Sequence, residues 1–181
     1  EPSRMTAEEV YQSVTNGGTS DFAAAVKIFE GFGPWCLIGG LAVNSYVEPV
    51  YTVDADFVIV SANLSRVSAA LDAAGFSLQT FAHSVNARRP ESQLSLQLTT
   101  DPRYQDFPER AARKEVLGVK VPVAALYDIV RGKVWAWEDR NRRLTKRKKD
   151  ELDLLRLAEA YPYLTSAMPA EIVRQIEGGQ A

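Results

Sequence analysis

PWCLIGGLAVNSYVEPVYTVDADFVIV, residues 34–60, contains two apolar runs that are separated by a glycine pair and a loop. The pattern predicts a strand over Trp35–Ile38, a tight turn at Gly39-Gly40 and a short helix after the turn. A second strand is predicted to begin at Asp54, where an Asp-Ala-Asp triplet leads into a wholly apolar run. The stretch therefore predicts a strand–turn–helix–loop–strand unit.

Two carboxylates open the second predicted strand. Asp54 and Asp56 are two residues apart, and side chains at that spacing point to the same face of a strand. Carboxylates this close raise each other's pKa unless a cation lies between them. Hard divalent metals take oxygen ligands, and two-metal sites serve phosphoryl and nucleotidyl transfer. We therefore expect Asp54 and Asp56 to be metal ligands and catalytic residues.

The glycine pair supplies a second kind of group. A glycine turn before a helix leaves backbone N–H groups unpaired, and such a terminus binds phosphate. A side chain on the turn would obstruct that approach, which favours glycine at positions 39 and 40. Each feature alone has a simpler interpretation. A glycine pair often only marks a turn, and an Asp-x-Asp triplet is also typical of a solvated strand end.

Taken together, these features resemble the signature of the polymerase-β-like nucleotidyltransferase superfamily. The matching residues are Gly39-Gly40, a spacer, Thr-Val-Asp-Ala-Asp at 52–56 and the apolar residues that follow. The sequence is most similar to bacterial AbiEii-type members, several of which are toxins of type IV toxin–antitoxin systems. The resemblance implies an α/β (α+β) fold, with a mixed sheet flanked by helices and a helical C-terminal extension. It also implies nucleotide binding at Gly39, Gly40 and Thr52, and a two-metal Mg²⁺ site at the carboxylates.

The third carboxylate of many superfamily members has no match at the expected place. Residues 94–98 alternate Leu-Ser-Leu-Gln-Leu, which predicts a strand, and the matching position is Gln97. A neutral amide is a poorer ligand than a carboxylate for a hard cation. Two alternatives follow. Asp101 takes the role, or the protein is catalytically impaired and acts as a nucleotide- or partner-binding module.

The chain becomes helical after residue 122. Apolar residues at three- and four-residue spacings predict helices over 123–137 and 145–160. We therefore expect a nucleotidyltransferase core over 1–122 and a helical C-terminal part over 123–181 that packs on the core. Within the core, the sequence predicts a loop or hairpin connection over 83–91, a helix over 107–113 and a single strand over 115–121.

The C-terminal part carries a third group of candidate residues. A pattern that recurs in AbiEii-type proteins is matched by Lys133 and by the pair Lys149-Asp150, which Asp153 follows. The resemblance implies catalytic roles for Lys133 and Asp150 and nucleotide binding by Lys149. Seven of the ten residues 140–149 are basic. Such a run is either a solvated charged segment or a surface that contacts the phosphates of an RNA acceptor.

The composition of the chain excludes several classes of protein. A chain of 181 residues with a net charge of -2 fits one domain, or a core with a small appendage, and carries no overall nucleic-acid signal. The single cysteine, Cys36, lies in a predicted apolar strand, which predicts a buried reduced thiol and a cytoplasmic protein. One histidine and one cysteine exclude the usual zinc site. No apolar run approaches about 20 residues, so no membrane-spanning helix is predicted.

The sequence thus predicts an enzyme that transfers a nucleoside monophosphate from a Mg²⁺-bound nucleoside triphosphate (NTP) to a hydroxyl or phosphate acceptor. The toxin-like resemblance implies a nucleic-acid acceptor such as tRNA, and a cognate antitoxin protein as a partner. An antibiotic or protein acceptor stays open on the residues alone. The rival hypothesis is the same fold without catalysis.

Overall fold

The computed structural model describes residues 6–179, and within them the chain forms seven strands and seven α-helices. The strands are β1 (Trp35–Ile38), β2 (Asp54–Ile59), β3 (Ser77–Thr80), β4 (Ser84–Arg88), β5 (Ser95–Thr99), β6 (Ala112–Val116) and β7 (Val119–Val123). The helices are α1 (Ala7–Val14), α2 (Gly18–Phe29), α3 (Gly39–Asn44), α4 (Leu64–Ala73), α5 (Leu126–Glu138), α6 (Leu144–Ala160) and α7 (Ala170–Gly179). None of these helices has the length and apolar character needed to span a membrane.

One mixed sheet organises the chain, with the strand order β3-β4-β5-β2-β1-β7-β6. The central strand β2 pairs antiparallel with β1 and parallel with β5. Its alternation directs Phe57 to one face, where the rings of Phe22 and Phe29 on α2 lie 5.9 and 4.8 Å from it. Asp56 points to the opposite face. The predicted α/β fold with a mixed sheet flanked by helices is therefore confirmed.

The C-terminal helices lie beside the N-terminal end of β2, which carries Asp54 and Asp56. Helices α5 and α6 pack on each other and on α3, the short helix that follows the glycine turn. Their buried side chains include Ile129, Val130, Leu154 and Leu157. The division into parts over 1–122 and 123–181 stays a prediction, and its ends, residues 1–5 and 180–181, lie outside the described residues.

Three local predictions were wrong. Residues 84–88, predicted as a loop or hairpin connection, form β4, which pairs with β3 and β5 and buries Val85 and Ala87. Residues 107–110 form a 3₁₀ turn instead of the start of a helix, and β6 begins two residues later. The strand predicted over 115–121 is a hairpin of β6 and β7 that turns at Leu117 and Gly118, both with positive φ. Pro122 lies inside β7 and does not end it.

Candidate active site

The glycine turn lies directly against the Asp56 carboxylate. Ile38, the last residue of β1, pairs with Asp56 in the antiparallel register of β1 and β2. The turn therefore begins beside Asp56, and Gly39 adopts a φ of 74°. A β-carbon at Gly39 would lie 2.9 Å from the carboxyl carbon of Asp56. Only glycine combines this left-handed backbone with so close an approach.

Burial and charge act against each other at Asp56. The side chain is half-buried, whereas the backbone neighbour Ala55 on the opposite face is fully buried. Desolvation is the largest influence on the pKa of Asp56, and the Asp54 charge adds to it; Lys133, Arg142 and Lys146 oppose both. The net result raises the pKa of Asp56 from 3.8 to about 6. Part of the population is therefore protonated in weakly acidic solution when no metal is bound.

Gln97 occupies the strand position next to Asp56. It pairs with Asp56 in the parallel register of β2 and β5, and its exposed side chain lies on the same face of the sheet. Asp101 is farther along the chain, and its carboxylate accepts hydrogen bonds from the Arg103 side chain, the shortest at 2.9 Å. Across residues 6–179, no group of three or more His, Cys, Asp or Glu could hold a metal ion. A metal ion beside the glycine turn would therefore find three candidate side-chain ligands, the carboxylates of Asp54 and Asp56 and the amide of Gln97.

A network of buried ion pairs lies behind the carboxylates. Lys133 on α5 is buried, with its Nζ 3.1 Å from Asp150 Oδ1 and 2.7 Å from Asp153 Oδ2. Arg142 Nε lies 2.8 Å from the other oxygen of Asp150, and Arg156 Nη1 lies 2.7 Å from Asp153. Burial lowers the pKa of Lys133, but the two carboxylates outweigh it, and the net pKa is raised. Lys133 is thus a fixed positive charge held next to Asp56.

Arg142 and Lys146 belong to the site although the sequence did not predict them there. Both are part of the basic run at 140–149, yet Arg142 pairs with Asp150 and the Lys146 ammonium contacts the carboxylate of Asp54. The signal that identifies Lys146 is its position four residues before Asp150, because residues four apart share a helix face. A metal on Asp54 would compete with Lys146 for the same oxygen.

Two cavities meet at Asp56. The smaller, of about 170 Å³, includes Gly40, Thr52 and Asp54 in its lining, and we call it the basic pocket. Its basic residues are Lys133, Arg142, Lys146, Lys149 and Arg156. The larger, of about 540 Å³, contains Gly39 and Gln97, and we call it the large cleft. Asp56, Lys133, Arg142 and Asp150 line both cavities. Asp56 therefore lies at the boundary between two spaces of different character, whereas Asp54 lines only the basic pocket of the two.

The large cleft is less basic than its neighbour. Tyr104 and Trp135 form an aromatic wall with centroids 5.0 Å apart, and the Arg103 guanidinium lies 4.9 Å from the Trp135 ring. Glu138 and Asp139, at the end of α5, also line the cleft. Within residues 6–179 neither of these two carboxylates has an ion-pair partner. The cleft thus presents aromatic surface and unpaired negative charge.

Comparison with known proteins identifies the fold. No family model and no curated protein sequence matches the chain. The antibiotic-resistance factor ANT(2'')-Ia has a similar structure, with a TM-score of 0.56 and 13% identity over 91% of both chains. The lincosamide antibiotic adenylyltransferase LnuA has a TM-score of 0.51 and 13% identity over 75% of this chain and 94% of that one. A protein of H. pylori assigned as a nucleotidyltransferase has a TM-score of 0.51 and 20% identity, over 83% and 71%.

At these levels of identity the similarity shows the fold alone. The chain therefore has the nucleotidyltransferase fold, in agreement with the resemblance of residues 39–56 to the polymerase-β-like superfamily. The roles of Gly39, Gly40, Thr52 and Lys149 in nucleotide binding, and of Asp54, Asp56, Lys133 and Asp150 in catalysis, stay predictions. All eight residues line the basic pocket, the large cleft or both.

Proposed function

We propose that the protein transfers a nucleoside monophosphate from a Mg²⁺-bound NTP to an acceptor hydroxyl, with release of pyrophosphate. The observation that carries the proposal is the position of Asp56 where the basic pocket meets the large cleft, with Asp54 beside it in the basic pocket. The nucleotidyltransferase fold of the chain supports it.

Asp54 and Asp56 would hold Mg²⁺, which in such sites takes one or two carboxylates and completes its shell with phosphate oxygens and water. The ion would neutralise charge on the reacting phosphate. The donor set of the chain fits this mode, because it offers two carboxylates on one strand face and open space beside them. Lys146, which contacts Asp54 in the free protein, would move its ammonium to a phosphate oxygen.

The two cavities suggest separate places for the leaving group and the nucleophile. The basic pocket suits the β- and γ-phosphates, because its five basic side chains outnumber its four carboxylates, two of which would hold Mg²⁺, and because it adjoins the glycine turn. In phosphoryl transfer the attacking and leaving oxygens lie on opposite sides of the phosphorus atom. With pyrophosphate leaving into the basic pocket, the acceptor hydroxyl would approach from the large cleft.

The large cleft favours a small hydroxylated acceptor. Its aromatic wall offers contact area, and the unpaired carboxylates of Glu138 and Asp139 would repel the phosphates of a nucleic acid. ANT(2'')-Ia, which shares the fold, has been seen with adenylyl-2''-tobramycin. We therefore propose a neutral or cationic small molecule as the first candidate acceptor.

A nucleic acid, tRNA above all, is the second candidate. The resemblance to AbiEii-type toxins motivates it and brings with it a toxin role and a cognate antitoxin. Arg140, Arg143 and Lys149 make no ion pair within the described part of the chain, so these three side chains are available for phosphate contacts.

The experiment measures pyrophosphate release with Mg²⁺ and each ribonucleoside triphosphate, in the presence of total tRNA or of a panel of hydroxylated antibiotics. We expect release by the parent with one acceptor class and none by Asp54→Asn. Calorimetry on the same samples reports NTP binding. Binding without release would support the rival binding module, and a parent that binds no NTP would contradict the proposal.

The neutral amide of Gln97 leads to a specific prediction. Gln97→Asp would place a third carboxylate on the strand next to Asp56, and an anionic oxygen suits Mg²⁺ better than an amide. We expect Mg²⁺ affinity to rise by about tenfold, measured by calorimetry, because affinity at such sites follows the number of charged ligands. Turnover should rise with it.

A matched control is available in the same row of the sheet. Gln79 on β3 pairs with Asn86, which pairs in turn with Gln97. Gln79→Asp makes the same change two strands farther from Asp56 than Gln97 is, at roughly 14 Å from Asp56. It should leave Mg²⁺ affinity unchanged. Equal effects of the two substitutions would mean that overall charge, and not a ligand position, is responsible.

A further inference from the structure

Three exposed apolar side chains line the rim of the basic pocket. They are Val50, with 45% of its surface exposed, Tyr51, with 57%, and Leu152, with 46%. Eight large apolar side chains in the described residues are this exposed, and three of them gather at this one small cavity. Exposed apolar residues that gather at a cavity otherwise lined by charge require an explanation.

The rim is held in place by the ion-pair network. Asn44 on α3 donates to the carbonyl oxygen of Val50 at 2.7 Å and accepts from its backbone N–H at 3.1 Å. Arg156, which is paired with Asp153, donates to the same side chain of Asn44 at 2.8 Å. The segment that carries Tyr51 is therefore fixed before any ligand arrives.

Tyr51 is supported from within the protein. The buried ring of Tyr11 has its centroid 6.1 Å from that of Tyr51. Leu152 comes from α6, three residues after Lys149, so that a basic and an apolar side chain share one helix face. A ligand that binds here meets five basic side chains and four carboxylates inside the pocket, and flat or aliphatic surface at its edge.

We propose that Tyr51, with Val50 and Leu152, forms the subsite for the nucleobase of the NTP, which stacks on the Tyr51 ring. A nucleoside triphosphate has the matching chemistry, since a polyanion is joined in it to a flat apolar base. Inorganic phosphates lack the base and gain nothing from the rim. The inference rests on the proposed function, which places the triphosphate in the basic pocket.

The test compares the Mg²⁺ complexes of ATP and of inorganic tripolyphosphate by calorimetry. Stacking of a base on an aromatic side chain contributes about 1–3 kcal/mol. Tyr51→Ala should therefore weaken ATP binding by about 5- to 150-fold and leave tripolyphosphate binding unchanged. Tyr51→Phe, which keeps the ring, should bind ATP as the parent does. Tyr127→Ala removes a tyrosine of similar exposure, 49%, outside the basic pocket and should change neither affinity.

Each other outcome has a defined meaning. Unchanged ATP affinity in Tyr51→Ala overturns the subsite. The exposed rim would then favour contact with a partner protein instead. Equal losses for ATP and tripolyphosphate also overturn it, because the effect would then not involve the base. A parent that binds neither ligand contradicts the proposed triphosphate site itself, so failure of the inference and failure of the function are distinguishable.

Discussion

Asp56→Asn is expected to abolish nucleotidyl transfer and at the same time to make the protein more stable. The substitution removes a proposed metal ligand, and stabilisation of charge by such an ion contributes several kcal/mol. Pyrophosphate release should therefore fall by about 1,000-fold or more. The increase in stability follows from the environment of Asp56 in the metal-free protein, where burial raises its pKa from 3.8 to about 6.

The size of the stability change depends on pH. Because the folded protein binds this proton more tightly than the unfolded chain, the parent loses stability as the pH rises from about 4 to about 6. The amide side chain of the variant does not titrate. At pH 7.5 we expect the variant to be more stable by about 1 to 3 kcal/mol, the lower part of this range reflecting the partial exposure of the side chain. Below about pH 4 the two proteins should unfold alike.

Thermal unfolding without metal, at pH 3.8 and pH 7.5, measures this difference. Asp54→Asn is the matched control, because the Asp54 carboxylate is paired with Lys146 and its neutralisation leaves that ammonium without a partner. Asp54→Asn should lose activity as Asp56→Asn does, yet gain no stability. If Asp56→Asn retains turnover, the reaction does not use this carboxylate. If it is less stable at pH 7.5, the Asp56 charge is favourable in the fold.

Lys133→Met is expected to destabilise the protein strongly. Lys133 is buried between Asp150 and Asp153, and removal of one member of a buried ion pair costs about 3–5 kcal/mol. Because Arg142 and Arg156 still pair with the two carboxylates, we expect the lower end of the range, about 3 kcal/mol. For a chain of this length, the melting temperature should fall by about 6 to 12 °C.

Lys148→Met is the control for Lys133→Met. Lys148 also pairs with a carboxylate, Glu151 at 3.1 Å, but 66% of its side chain is exposed. Exposed ion pairs contribute little, so this variant should stay within about 1 kcal/mol of the parent by chemical denaturation. The double variant Lys133→Met with Asp153→Asn should recover part of the loss, because it removes one under-compensated buried charge. Equal stability of Lys133→Met and Lys148→Met would contradict the structural role of the network.

The motif of the carboxylate pair and the glycine turn was predictable because its geometry is local. Alternation along a strand places Asp54 and Asp56 on one face whatever the rest of the chain does. The glycine pair identified the turn, and the apolar spacing after residue 122 identified α5 and α6. The resemblance to a known superfamily added the mixed sheet flanked by helices, and the structure agrees with it.

Only the tertiary structure decided which of these groups meet. The register between β2 and β5 places Gln97 beside Asp56, and the packing of α6 brings Lys146 to Asp54 from 92 residues away. Strand register and helix docking depend on hydrogen bonds and side-chain packing between distant segments, and no local period of the sequence records them. For the same reason β4 and the β6–β7 hairpin were missed, since each is stabilised by a partner strand. The sequence by itself determined the carboxylate pair and its turn; the fold placed a basic pocket on one side of Asp56 and a large cleft on the other.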